Sequence, residues 1–257
     1  MELRENDKVL FLFAHPDDDA FISGAMYQLI QLGIEIHAVW LTSGGLLGGQ
    51  ETREKELWKA IDVLGMDKEY VHLARFPDLG LVSNLQKAAA YIANLIDKLQ
   101  PTILIADAFE GGHPDHDCAN FLAYEGMQRN HISIQIFEFP LYNGNGRYLH
   151  WKWKINSFPN DNTPSLFWPL SEEAIKVKYR VMRCYSSQWM YMIPARLVAN
   201  QSKMSNKGEL YRPCPSDRDH IVRPHRGRLN YERWFNAFMK ITFEDYARAV
   251  SDVRNAR

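Results

Sequence analysis

The first 140 residues alternate between two periods, and that alternation restricts the fold more than any other feature. Short, continuously apolar runs at 8–14 ("KVLFLFA"), 34–42 ("IEIHAVWLT"), 70–74 ("YVHLA"), 102–106 ("TILIA") and 132–140 ("ISIQIFEFP") read as strands covered on both faces. Helical stretches lie between them, at 20–33, 51–65, 84–100 and 114–130. Gly33 and Gly65 end the first two, Asn84 is the expected N-cap of the third, and Pro114 suits the first turn of the fourth. Such alternation implies a mostly parallel sheet with right-handed crossovers and helices on both sides. The expected fold is α/β: a Rossmann-like three-layer core over 1–140, followed by a less regular C-terminal segment.

The remainder, 141–257, is aromatic, rich in proline and arginine, and weakly periodic. Residues 171–188 read as a helix opened by Ser171, 243–250 as a terminal helix, and 207–234 as ordered loop. With no repeat, low-complexity tract or linker, one domain spanning 1–257 is expected, its part 141–257 covering the pocket of the core. A formal net charge of −1, without long blocks of one sign, argues against a general nucleic-acid or anionic-membrane surface. Cys118, Cys184 and Cys214 are scattered, forming neither a disulfide framework nor a CxxC site, which points to a reducing compartment. The charged N-terminus lacks a signal-peptide core, and no apolar run approaches the roughly 20 residues that span a bilayer. The expected location is cytoplasmic. Self-association into a homo-oligomer stays open.

In open parallel sheets, ligands bind beyond the carboxyl ends of the strands, at the topological switch point. In the common order 3-2-1-4 that point lies between strands 1 and 4. "HPDDD" (15–19) follows the first strand and "DAFEGGHPDHD" (107–117) follows the fourth, so two acidic, histidine-bearing loops should meet at one crevice. Each loop alone has a bland reading, since aspartates at a helix start usually cap it and a lone histidine after a strand is usually structural. Their joint occurrence at one switch point disfavours that reading. Imidazole with carboxylate favours zinc or a similar transition metal, whereas magnesium prefers oxygen ligands alone. Two histidines and one carboxylate leave a position for water, whose pKa falls toward neutrality. A spare carboxylate can take the proton, and a spare histidine can stabilise or protonate a tetrahedral intermediate. These parts describe metal-assisted hydrolysis of an amide or ester.

At these residues the chain resembles the PIG-L (LmbE-like) family of zinc-dependent de-N-acetylases, whose hallmarks are an AHPDDE-type and an HPDH-type motif; here they read "AHPDDD" and "GGHPDHD". "LTSGG", "TREKELWKAIDVLG", "FPD" at 76–78 and "CYSSQ" at 184–188 fall where the family has its Gly-rich loop, Arg-and-Glu helix, proline–aspartate turn and Ser-Gln element. The last fifty residues match least. The resemblance implies one zinc ion per chain, held by His15, Asp18 and His116, with Asp17 as general base. It implies that His113 stabilises the oxyanion or protonates the leaving amine, that Asp115 orients its histidine neighbours, and that Arg53 and Asp78 touch substrate. Asp19 stands where the family usually has glutamate, behind the ligands. Gly111 stands where some members carry a tyrosine, so oxyanion stabilisation must come from His113 or the C-terminal half. The implied activity is removal of an N-acetyl group from a small-molecule, N-acetylglucosamine-like substrate. Three alternatives accompany it: an amidase on a non-sugar or thiol-conjugate amide, a magnesium-dependent phosphoryl-transfer or receiver-like domain, and a non-catalytic binding module.

Other features are less specific. Gly44 to Gly49 lacks a P-loop lysine and reads as a flexible pocket rim. "YLHWKWKI" (148–155) suits sugar stacking or hydrophobic packing. Arg223, His225 and Arg228 suit an anion or a solvated surface, and His220 and His225 are further candidate ligands or gates.

Overall fold

The computed structural model describes residues 3–4, 6–46, 49–144, 154–159, 163–190, 192, 208–232 and 240–257. Residues 148–153 of the aromatic run lie outside this set.

The expected alternation is present. It runs β1 (Lys8–Phe13), α1 (Ser23–Gln31), β2 (Glu35–Thr42), α2 (Gln50–Leu64), β3 (Val71–Phe76), α3 (Leu81–Leu99), β4 (Ile103–Asp107), α4 (Pro114–Arg129) and β5 (Gln135–Phe139). A short antiparallel pair follows, β6 (Tyr142–Asn143) with β7 (Lys154–Ile155). Then come β8 (Leu166–Pro169), α5 (Glu172–Cys184), β9 (Gly208–Pro213) and α6 (Phe243–Asn255). The main sheet has the order β3-β2-β1-β4-β5-β9-β8. Its first five strands are parallel, while β9 pairs antiparallel with both β5 and β8.

Both faces of β1 are covered, which is why its sequence is continuously apolar. Val9, Phe11 and Phe13 pack with α1, α2 and α5, and Leu10, Leu12 and Ala14 pack with α3, α4 and α6. Each fully buried side chain of this size contributes about 1.5–3 kcal/mol. Helix ends follow local chemistry. Gly65 takes φ 70° as the C-cap of α2, and Ser171 Oγ accepts from Ala174 N at 3.1 Å to open α5. Thr242 and Asp245 form a capping box on α6.

Three expectations are corrected. Asn84 does not cap α3, which begins at Leu81 because the Asp115 carboxylate, from a different loop, accepts from Leu81 N at 3.1 Å. The helix expected over 171–188 ends at Cys184 and continues as a 3₁₀ turn, Ser186–Gln188. The segment read as loop over 207–234 supplies β9, whose buried Glu209 and Arg212 are polar because they are paired. Glu209 meets Lys178, and Arg212 Nε meets Glu138 Oε1 at 2.7 Å. Among the described residues no helix is long and apolar enough to cross a membrane.

Candidate active site

After β1 the chain enters the α1 layer, and after β4 it enters the α4 layer on the opposite face, so a crevice opens between two adjacent strand tips. Asp107, the last residue of β4, ties the tips together: its Oδ2 accepts from Ala14 N at 2.8 Å. Beyond Ala14 the chain turns tightly. His15 N donates to Asp18 Oδ2 at 2.7 Å, and Asp17 takes φ 115°, ψ −19°. A non-glycine residue there stores about 1–3 kcal/mol of strain, which the surroundings must impose. On the other side Asp117 Oδ1 accepts from Glu110 N at 3.1 Å and Gly111 N at 3.0 Å, shaping the loop that leads into α4. The first turn of α4 then presents His116.

The two loops converge as expected. His15 Nδ1 lies 3.2 Å from His116 Nε2 and 3.4 Å from Asp18 Oδ2, while His116 Nε2 lies 3.3 Å from Asp18 Oδ1. Corners of a tetrahedron centred about 2.0–2.1 Å from each ligand atom are about 3.3 Å apart, so this spacing suits a zinc-sized ion. The far side of the His15 ring is held too. Nε2 sits 3.3 Å from Asp115 Oδ2 and 3.3 Å from Asp78 Oδ1, the carboxylate backing that fixes a ligating imidazole. Asp107, Asp18 and His116 also bring one donor atom each within 4.8 Å of one another.

His113 stands beside the three donors, its ring 4.5 Å from that of His15 and 5.1 Å from that of His116. Its Nδ1 accepts from Asp115 N at 3.1 Å, so the neutral ring carries its proton on Nε2. Asp17 Oδ1 is gripped by Arg53 Nη2 at 2.6 Å, and the same guanidinium holds the Pro16 carbonyl. Arg53, expected to touch substrate, is 2% exposed and faces the Asp17 carboxylate. Asp19 is wholly buried behind the crevice, where its Oδ1 accepts from Tyr185 Oη at 2.6 Å and Trp40 Nε1 at 3.3 Å.

The electrostatics favour a cation at the centre. Burial works against a charged His15 ring, yet Asp115, Asp18 and Asp78 raise its pKa well above the imidazole value. Burial would raise Asp18, but His116 and His15 hold it far below the usual carboxylate range. Burial lifts the Asp17 carboxyl to about 7 against the pull of Arg53, and lifts Asp19 to about 6. Burial, with His15 and His116 alongside, keeps His113 neutral.

The remaining candidates lie elsewhere. His220 is a core residue, its Nε2 3.0 Å from Asn120 Oδ1 and its ring among Phe109, Phe121 and Tyr124. Arg223 pairs with Glu232 and Glu244, Arg228 donates to Glu232 O, and His225 Nδ1 accepts from Gly227 N. The Gly-rich loop is fastened at its start: Leu46 N donates to Asp78 Oδ2 at 3.0 Å, and a Cβ on Gly44 would meet Pro16 Cδ at 2.9 Å. At Gly111, with φ 69°, a Cβ would lie 2.5 Å from Leu229 Cδ2, so no side chain fits there without repacking. Sequence reasoning gave no role to Asp107, Glu56 or Tyr185, although the last two lie in stretches that resemble the family's Arg-and-Glu helix and Ser-Gln element. Asp107 was visible as the acid ending an apolar run, but Glu56 looks like any charged residue of an amphipathic helix.

Fold and crevice together define an α/β protein of the Rossmann-like type with a histidine–carboxylate centre at its switch point. Residues 10–127 match the PIG-L family model, described as GlcNAc-PI de-N-acetylase. A probable N-acetylglucosaminyl-phosphatidylinositol de-N-acetylase of Schizosaccharomyces pombe is 30% identical over 131 residues, covering 48% of this chain and 51% of that protein. The chain thus spans about half the length of that relative. Diacetylchitobiose deacetylase of Thermococcus kodakarensis is 28% identical over 200 residues, 71% of this chain and 70% of that protein. Among solved structures, a triple mutant of a deacetylase from teicoplanin biosynthesis superposes with a TM-score of 0.63 at 18% identity, covering 82% of this chain and 100% of that one.

Proposed function

We propose that this protein is a zinc-dependent hydrolase that removes the acetyl group from the nitrogen of an N-acetylglucosamine-like small molecule. The observation that carries the reading is the approach of His15 Nδ1, His116 Nε2 and Asp18 to 3.2–3.4 Å of one another, with Asp17 and His113 alongside. His15, Asp18 and His116 would hold the ion, and Asp115 and Asp78 would steady His15 from behind. When bound, zinc supplies Lewis acidity that acidifies a water and polarises an amide carbonyl. Asp17 accepts the proton of the attacking water. Its side chain is 15% exposed against 7% for Asp18, so it can meet a water from the crevice. His113 donates its Nε2 proton, by hydrogen bond to the developing oxyanion or by transfer to the departing amine. Asp78 lines the crevice as a substrate contact, and Arg53 meets substrate only beside the base it holds.

The proposal treats 1–257 as one working unit, in which α5 and the 186–188 turn complete the wall behind Asp17 and Asp19. A cytoplasmic setting goes with it, in keeping with three unpaired cysteines. The same centre would equally serve an amidase on a non-sugar or thiol-conjugate amide, and substrate profile separates the two. The deciding experiment offers the zinc-loaded protein N-acetylated amino sugars, their glycosides and simple aliphatic N-acetyl amines, and follows acetate release with and without chelator. Chelator-sensitive release from the sugars, with glycosides ahead of the free sugar, is expected because remote contacts orient the amide. Equal rates on aliphatic amides remove the sugar assignment, and no release from any of them removes the deacetylase reading.

A further inference from the structure

Glu56 sits one turn after Arg53 on α2 and is 3% exposed. Its carboxylate is where the N-terminal core meets the C-terminal half. Oε1 accepts from Ser186 Oγ at 2.9 Å and Ser187 N at 2.7 Å. Oε2 accepts from Ser187 Oγ at 2.7 Å and faces Arg53 Nη1 at 3.4 Å, and that nitrogen also reaches Ser187 Oγ at 3.4 Å. The other terminal nitrogen of Arg53 holds Asp17 Oδ1 and the Pro16 carbonyl. A continuous set of direct contacts therefore runs from Ser187 through Glu56 and Arg53 to Asp17.

Two features of this chain give it a purpose. Asp17 is held at φ 115°, a backbone conformation that an L-residue keeps only when its surroundings impose it. Arg53 is one of the side chains that do so, gripping the Pro16 carbonyl and the Asp17 carboxylate, while Asp19 Oδ1 accepts from Asp17 N at 3.2 Å. The guanidinium is a rigid plane, so a partner that orients one edge also orients the other. Glu56 is the anion on that opposite edge. Its geometry is set in turn by the Ser186–Ser187 turn, some 130 residues downstream.

We infer that Glu56 is a positioning residue for Asp17, acting through Arg53 and without contact with substrate, so that docking of the Ser186–Ser187 turn sets the geometry of the base. The kinetic arm rests on the deacetylase reading, and the structural arm does not. In Glu56→Gln the amide nitrogen cannot accept from the serines or face the guanidinium. A fall in kcat of about 10–100-fold is expected, the usual scale for a group behind the reacting residues. KM and metal content stay close to those of the unaltered protein. Glu54→Gln, on the same helix but bonded to Arg75 at the surface, changes nothing.

The distinguishing measurement is a double-mutant cycle. If Glu56 works through Asp17, then adding Glu56→Gln to Asp17→Asn lowers kcat no further. An equal loss in both backgrounds marks a generic packing role and overturns the inference. The second arm is a crystal structure of Glu56→Gln, in which the Arg53–Asp17 contact is expected to open beyond hydrogen-bonding distance; an unmoved Asp17 overturns the inference whatever the activity. Ser187→Ala removes the hydroxyl that bonds Glu56 Oε2, keeps its backbone N–H, and should show a smaller loss of the same kind if Glu56→Gln does not fold. A released Asp17 in a protein that deacetylates nothing would leave Glu56 as assigned and remove the deacetylase reading alone.

Discussion

Replacing Asp17 by asparagine separates proton transfer from metal ligation, two roles that adjacent aspartates would otherwise confuse. The amide oxygen can still accept from Arg53 Nη2, which lies 2.6 Å from Oδ1, so the turn keeps its main contact. What is lost is the charge. Burial lifts this carboxyl to about 7 even beside Arg53, so the fold already disfavours its ionised form and Asp17→Asn should leave stability little changed. Asp17→Ala leaves a buried guanidinium with Glu56 as its remaining anionic partner and should cost more, about 3–5 kcal/mol. Catalytically, loss of a general base costs roughly 10²–10⁴ in rate. Asp17→Asn should therefore retain near-stoichiometric metal while kcat falls within that range, whereas Asp18→Ala loses metal and activity together. Asp19→Asn, whose oxygen keeps its bonds from Tyr185 and Trp40, should lose at most about 10–100-fold. Elemental analysis, steady-state kinetics and thermal melts on all four variants make the comparison. If Asp17→Asn is the variant that sheds metal, or Asp19→Asn is the most damaged, the assignment of roles is wrong.

Metal loading should raise the melting temperature of chelated protein, since zinc at about 100 times its Kd adds about 2.7 kcal/mol to the native state; His15→Ala should abolish the rise, and an unchanged melt in the unaltered protein refutes the site. Gly111→Ala combines a positive φ, worth about 1–2 kcal/mol, with a 2.5 Å approach to Leu229 Cδ2 that adds about 1–3 kcal/mol; urea unfolding should show a loss of about 2–5 kcal/mol, a loss of only about 1–2 kcal/mol means Leu229 is free to move, and a neutral result refutes the strain argument as well. Burial raises Glu110 to about 8, although Leu141 N, Tyr142 N and Asn143 donate to it. Because the folded pKa lies above the unfolded one, its stabilising contribution is complete below pH 4.5 and lost as pH rises through about 8. Relative to Glu110→Gln, the unaltered protein should lose stability across that window, and parallel pH–stability curves would contradict the burial argument.

How much of this was legible beforehand depended on where the polar groups found partners. β1 could be read most plainly because apolar helices cover both its faces, whereas β3 at the sheet edge is half-buried and carries His72 and Arg75. The switch point and the meeting of the two histidine-bearing loops followed from strand order, while the choice of His15, Asp18 and His116 among their residues came from the family resemblance. β9 could not be read, because its Glu209 and Arg212 look like solvent-facing residues until Lys178 and Glu138 are seen across from them. The start of α3 was misplaced for the same reason: the acceptor for Leu81 N is Asp115, which belongs to the other loop of the site. Arg53 carries no mark in the sequence that separates a substrate contact from a buried clamp on Asp17. Gly111 shows the reverse case, where an unexplained departure from a motif gains a plain steric cause from Leu229.

The cap on α1 has a consequence for the order in which the chain takes shape. Gly24 N and Ala25 N donate to the two oxygens of Glu209, 185 and 184 residues further on. At roughly 5–20 residues per second, a ribosome needs roughly 10–40 s to cover that distance. Until β9 is made the first helix lacks its carboxylate, the outer edge of β5 has no neighbour once that strand has formed, and Glu138, though bonded by Phe109 N and Asn120 Nδ2, has neither of its cations, Arg212 and Arg218. An open strand edge beside a buried acid is a template for the wrong partner. The nascent sheet is thus most exposed to misassembly just before the segment that closes it is made, and a fragment ending at Phe139 would remain in that state.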